Sequence, residues 1–259
     1  MMNGQVEIFE EYVKTFNLKL NHDQVISFLN YSNWNLEMSK KRFTAFVAMI
    51  QGIRKEWFLP IEDVETLLYL RNNCFYVPLG FLEQDGKFVL YCSFDGLDIS
   101  KMKLDMIMRV GNMYALWMMN DQRITRQGAT FIFDMKSFSF KLIHKMMNVR
   151  KLVDLIKIFQ DILPIQMNNM ISFNETQQIS LLFSVSEPFL NSDFKSKILR
   201  TKTGLSSFFQ EFPTLPQILP IELGGNNTSS LAQMKTTGFD SVIDFWKENT
   251  QLTTSIRQA

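Results

Sequence analysis

The stretch MISFNETQQISLLFSVSEPFL, residues 170–190, decides how the rest of the chain is read. Met170, Ile171, Ser172 and Phe173 make a β-favouring run, and Asn174 supplies a helix-start residue. Ile179, Leu182, Phe183, Ser186 and Leu190 then recur at helical spacing. A strand therefore leads straight into a helix. The opposite side of that helix is apolar too, with Leu181 and Val185 one turn apart, and only Ser180, Ser184 and Glu187 form a polar strip. A helix apolar nearly all round must be covered nearly all round. Spacing alone leaves two arrangements open: the central helix of a large core, or a helix with one side on the protein and the other against an apolar ligand.

Working outward, residues 129–135 read as an apolar strand containing Asp134, as expected of a central parallel strand covered on both faces. Helices are expected over 138–147 and 150–159, with Pro164 closing the second before the next strand. Strand, helix, strand in that order implies a right-handed crossover and a parallel pair. Upstream, residues 75–79 and 87–94 read as a hairpin across Asp85-Gly86, with Pro78 marking an edge or a strand end. The sheet is thus mixed. A long helix over 99–120 carries Met108, Gly111, Ala115 and Met119 on one stripe, whose small residues leave room for a neighbouring helix or for a ligand. Helices are also expected over 6–20, 24–31, 36–53 and 64–70. The chain divides into a helical unit over 1–60, an α/β domain over 61–225 and an extension over 226–259, whose Phe239, Val242, Ile243 and Trp246 mark a terminal helix.

Composition excludes several function classes. Hydrophobic residues at 46% and charged residues at 20% describe a globular protein, and 27 Lys plus Arg against 26 Asp plus Glu give no field for nucleic acid. The unusual counts are 24 Phe and 16 Met, which suit an irregular apolar cavity or simply an adaptable core. Two cysteines and two histidines are too few for a disulfide scaffold or a zinc site, so neither a metal nor a cofactor is expected. No G-x-S-x-G elbow or phosphate loop occurs, and no catalytic residue is assigned. Paired carboxylates around Asp134 are the remaining route to hydrolysis, although a cap explains that residue as well. His144, beside Lys145, reads as a surface residue. The first residues are acidic where a secretory signal is basic, and no stretch approaches a span of about 20 apolar residues. The expected location is cytoplasmic, and oligomeric state stays open.

Three ordered motifs add to this reading. Asn174-Glu175 followed by Pro188-Phe189-Leu190, then ILPIELGG over 218–225, and before both GATFIFDMKSFSF over 128–140, together resemble the CRAL-TRIO family of lipid-transfer proteins. The run over 25–43, VISFLNYSNWNLEMSKKRF, resembles that family's amino-terminal helical unit, with Ser27 and Asn30 where arginines are usual. The resemblance implies an amino-terminal helical bundle and an α/β lipid-binding domain with a mixed, mainly parallel sheet and a gate helix over an apolar cavity. By position it implies Phe133, Met147, Leu155, Ile158, Leu163, Ile165, Ile179 and Phe183 as cavity walls, all apolar. It further implies a carrier, not an enzyme, which holds a retinoid, tocopherol or similar lipid and touches membranes transiently. Lys195 and Lys197 near the gate are candidates for contact with anionic lipid, beside Arg200 and Lys202; the alternative for all four is a solvated helix face. Gln166 and Asn168 stand where phosphoinositide-binding members carry basic residues, which argues against headgroup-triggered release. The alternative function is an interaction module of the same fold, its cavity filled by its own side chains.

Overall fold

The computed structural model describes residues 2–258 apart from residues 53, 74, 99–101, 139–143 and 145–147. Three helices open the chain: α1 (Met2–Lys14), α2 (His22–Tyr31) and α3 (Leu36–Gln51). Asn21 caps α2 reciprocally, its side chain accepting from the Gln24 amide at 3.0 Å while the Gln24 side chain accepts from the Asn21 amide at 3.1 Å. Asn35 caps α3, and the turn between the two passes through Asn33 and Trp34, both at positive φ. The first helix ends earlier than its apolar spacing suggests. A turn at Thr15 and Phe16 stops it, yet Leu18 is buried all the same. Phe9, Phe28, Phe43 and Phe46 are fully buried between these helices, with Phe28 edge-on to Phe43 and Phe46 at 5.3 Å. Part of the high phenylalanine count thus serves this helical unit.

After α4 (Val64–Asn73), β1 (Tyr76–Phe81) and β2 (Phe88–Ser93) form the antiparallel hairpin, with β1 as an edge strand carrying Pro78. Helices α5 (Leu104–Met118) and α6 (Gln122–Gln127) lead to β3 (Ala129–Asp134), which pairs parallel with β2. Helix α7 (Val149–Lys157) runs into a π-helical turn (Ile158–Ile162) and then β4 (Met167–Phe173), parallel to β3. Next come α8 (Gln177–Ser186), a short α9 (Ser192–Ser196) and β5 (Ile198–Arg200), parallel to β4. The sheet order is β1-β2-β3-β4-β5. Beyond α10 (Leu215–Ile218), the chain closes with α11 (Leu231–Glu248) and α12 (Thr250–Gln258).

Strand alternation divides the interior in two. Phe88, Leu90, Cys92 and Phe131 face the same core as the amino-terminal helices and α5, whereas Val89, Tyr91, Ile132 and Ile171 face a second core closed by Leu205, Phe208, Phe212, Leu215 and Leu219. Of that cover the ILPIELGG run supplies Leu219, with Ile218 and Leu223 packed against the cluster. Gly224 takes a left-handed φ of 81°, and a Cβ on Gly225 would stand 2.1 Å from the Leu219 carbonyl oxygen, so the second glycine lets the backbone pass.

Three expectations are corrected. Asn174 does not cap α8: its φ is 55°, and Thr176 is the N-cap, accepting from the Ile179 amide. The basic stretch over 195–202 is not one helix face, because Arg200 ends β5. The long helix begins at Leu104 rather than 99, behind a segment that includes undescribed residues. Of the helix expected over 138–147, most lies outside the described residues.

Candidate functional site

The site grows from the register of β3, β4 and β5. Phe131 pairs with Met170, which pairs with Ile198; two residues on, Phe133 pairs with Ser172, which pairs with Arg200. Alternation puts both rows on the same face, so that face is apolar along the first row and turns polar at the second. Over the apolar row lies a cavity of about 170 Å³. The strands contribute Cys92, Phe131, Phe133, Met170 and Ile198, and α7 contributes Leu152, Leu155, Ile156 and, in its π-helical continuation, Phe159. That helical set is an i, i+3, i+4, i+7 stripe. Helix α8 closes the cavity with Ile179, Leu182, Phe183 and Ser186, and Leu190 follows just beyond.

Polar atoms are scarce on this wall. Ser186 is the clearest, and its hydroxyl donates to the Leu182 carbonyl within its own helix at 2.8 Å. On the outer side of α8, Leu181 is 59% exposed and Phe189, just past its end, 39%. Both sides of this segment are therefore apolar, one toward a chamber and one toward solvent.

Helix α8 is held differently at its two ends. At the amino end the Glu175 side chain is only 4% exposed and accepts from Arg200 through Nε at 2.8 Å and Nη2 at 2.7 Å, and from the Ser172 hydroxyl at 2.6 Å. The Arg200 guanidinium also lies 4.1 Å over the Phe183 ring, directly behind the cavity wall. Asn174 donates from Nδ2 to Asp134 at 3.0 Å, and its backbone amide donates to the Thr203 carbonyl. At the far end the holding group is Gln160, from the π-helical turn. Its Nε2 donates to the Phe189 carbonyl at 3.2 Å and its Oε1 accepts from the Asn191 amide at 2.8 Å, both near solvent. Arg42, stacked on Tyr31 in the amino-terminal unit, donates to the Gln160 and Leu163 carbonyls and so fixes that turn in place; burial pulls its pKa below the usual guanidinium value.

The structure brings Phe133, Leu155, Ile179 and Phe183 together around the cavity. Leu163 and Ile165 line a smaller hollow of about 20 Å³ beside it, Ile158 is fully buried but borders neither, and Met147 lies outside the described residues. Phe131, Met170, Leu152, Ile156 and Phe159 are wall residues that position-by-position transfer missed, although strand alternation and helical spacing carry both signals. Lys195 lies 3.6 Å from Glu187, and Lys197 lies 2.7 Å from Asp193, so each cation is matched by a neighbouring carboxylate. Gln166 and Asn168 serve the sheet: the Gln166 carbonyl accepts from Ala129, and the Asn168 side chain donates to the Gln127 carbonyl.

Asp134 is occupied by structural bonds. It accepts from the Lys136 amide, the Asn174 side chain and, at 3.4 Å, the Tyr91 hydroxyl, whose pKa is driven upward by burial and by the Asp134 charge. Among the described residues no cluster of three or more His, Cys, Asp or Glu could hold a metal, and no helix is long and apolar enough to cross a membrane.

The sequence model of the CRAL/TRIO domain matches residues 70–225, more than half of the chain. The chain belongs to the CRAL/TRIO family. Its fold is similar to the crystal structure of Sfh5, with a TM-score of 0.51 and 10% identity over 86% of this chain and 81% of that one. No curated protein matches the sequence. For a CRAL/TRIO chain the family carries binding and transfer of lipids or other small hydrophobic ligands.

Proposed function

We propose that the chain takes a small hydrophobic ligand, of retinoid, tocopherol or comparable size, into the chamber beneath α8 and carries it between membranes in the cytoplasm, without bond-making chemistry. The observation that carries this reading is the chamber itself: an almost wholly apolar hollow, roofed by a helix whose outer face is apolar as well. Burial drives retention. At about 25 cal/mol per Å², a ligand giving up about 400 Å² of apolar surface gains on the order of 10 kcal/mol before ordering costs. With few free polar atoms on the wall, the buried part is a hydrocarbon chain or ring, and any polar group stays at the mouth.

A cavity of 170 Å³ is close to the size that admits benzene and below the roughly 300–1,000 Å³ of sites for larger ligands. Uptake therefore requires α8 to move out and the flexible wall residues Met108, Met167 and Met170 to change rotamer. In this mechanism the Glu175–Arg200 end serves as the pivot and the Gln160 end as the release, with Leu181 and Phe189 meeting the membrane while the gate is open. The same small volume favours one other reading, an interaction module whose chamber is filled by its own Phe and Met side chains. Denaturing extraction of protein purified from cells, followed by mass spectrometry, separates the two. A carrier releases a stoichiometric lipid and rebinds it saturably after stripping, and Leu155→Trp, which fills the chamber, abolishes rebinding. A protein that releases no lipid and takes up no retinoid, tocopherol, sterol or phospholipid is not a carrier.

A further inference from the structure

The cavity face holds a second hollow of about 20 Å³ beyond the main one, bordered by Gly111 and Ala115 of α5. Tyr76, Phe131, Phe159 and Met167 border both volumes and so form the partition between them. We infer that Phe159 is the stop that sets how long a ligand chain this protein accepts, and that the blind end of the channel is the hollow against Gly111 and Ala115. The inference rests on the carrier reading and adds its length limit.

The room behind the partition comes from the small residues on α5. A Cβ on Gly111 would stand 2.9 Å from the Tyr76 hydroxyl oxygen and 3.5 Å from its ring, so the Tyr76 side chain already leans into the space that residue 111 leaves free. A larger residue there would displace Tyr76 and close the hollow. Apart from the Tyr76 hydroxyl the lining side chains are hydrocarbon or thioether, with Leu90, Met118, Leu163 and Ile165 around the hollow, so a methylene chain entering it has little polar surface to desolvate. A void of that size with so few polar side chains around it gives little to a water molecule, which needs about two to four polar partners.

The partition members differ in how they can yield. Phe131 sits on a central strand paired on both sides and is 5% exposed. Phe159 meets it edge-on, with ring centroids 5.9 Å apart, from the π-helical turn, a wider and less regular helical geometry often found at functional sites. Met167 is unbranched and bends readily. The fixed wall is therefore Phe131, and the movable stop is Phe159.

Full-length protein stripped of lipid is tested against a graded series of straight-chain primary alcohols, with binding read by native mass spectrometry. Affinity rises about fourfold for each added methylene that is buried, and the rise stops where the chain meets the partition. Phe159→Ala is expected to move that stopping length upward by several carbons, Phe159→Leu by fewer, and Ala115→Val added to either is expected to restore the wild-type limit. In the wild type, an alcohol of limiting length with a photoreactive diazirine at its far end is expected to label Phe159 or Phe131, which tests the stop even where the variants fold poorly. Length-dependent binding with an unchanged limit in the Phe159 variants, or labelling confined to residues away from the partition, overturns this inference and leaves the carrier reading standing. Binding of no alcohol by any of the proteins overturns this inference, and failure to take up retinoid, tocopherol, sterol or phospholipid as well overturns both.

Discussion

Replacing Arg200 with methionine tests the proposed pivot at the amino end of α8. The Glu175 carboxylate beneath it is 4% exposed, and without Arg200 it keeps only the Ser172 hydroxyl at 2.6 Å among its side-chain donors. Removing one partner of a buried ion pair costs about 3–5 kcal/mol, because the other charge is left unpaired. The Arg200 side chain is 36% exposed, so water reaches the vacated space and screens the carboxylate, which lowers the expected loss to about 2–3 kcal/mol. At roughly 2–4 °C per kcal/mol for a chain near this size, Tm falls by about 4–12 °C. Burial alone does not distinguish this from an ordinary packing defect, so the assay is a cycle. Urea unfolding of wild type, Arg200→Met, Glu175→Gln and the double variant should show the pair costing less than the sum of the singles, with a coupling of about 1 kcal/mol or more. A double variant whose loss equals the sum within about 0.5 kcal/mol would refute the reasoning. So would a methionine variant as stable as wild type.

Three further outcomes are expected. Gln160→Ala removes both side-chain bonds to the segment just past α8; hydrogen exchange at the Asn191 amide should accelerate severalfold while global stability changes by no more than about 1 kcal/mol, since the bonds lie near solvent. Burial alone would raise the pKa of Asp105, but hydrogen bonds from Lys151 at 2.6 Å and Trp57 at 2.8 Å outweigh it and hold the carboxyl below its ordinary value. That stabilisation is present above the unfolded pKa of about 3.9 and is lost as pH falls through the lower folded value, so the gap in urea midpoint between wild type and Asp105→Asn should be full at neutral pH and shrink below about pH 4. Gly225→Ala drives a Cβ against the Leu219 backbone and side chain, at 2.1 Å from the carbonyl oxygen and 2.4 Å from the Leu219 Cβ. A loss of about 1–3 kcal/mol in thermal or urea unfolding is expected.

How much of this was legible depends on whether the signal is local. The β2 and β3 strands, the hairpin at Asp85-Gly86 and the apolar character of α8 all follow from spacing and turn chemistry within a few residues. The β5 strand does not, because three residues in the run Lys197-Ile198-Leu199-Arg200 read equally well as part of a charged helix and become a strand only beside β4. Asn174 has the chemistry of a cap, yet the side chain that would cap α8 reaches Asp134 on β3, 40 residues away in sequence, and Thr176 caps instead. Ile158 illustrates the cost of transferring a wall by position. Leu155 and Phe159 fall on the cavity stripe and Ile158 falls off it, which helical spacing alone distinguishes.

The ion pair that anchors the amino end of α8 is invisible for the same reason. Glu175 looks like a helix-start acid and Arg200 like one more surface cation, and only the parallel register of β4 and β5 makes them neighbours. That register sets Met170 beside Ile198 and Ser172 beside Arg200, so two steps along the strands the sheet face changes from one that holds hydrocarbon to one that holds a carboxylate. In the proposed mechanism a gate hinged at that change of polarity would have a dry side on which burial would hold a ligand. It also has a polar end at which an ion pair holds the helix, and the two can be altered separately by substitution. Ligand retention should therefore respond to Leu155 and Phe159, the anchoring of the gate to Glu175 and Arg200, and the speed of its release to Gln160.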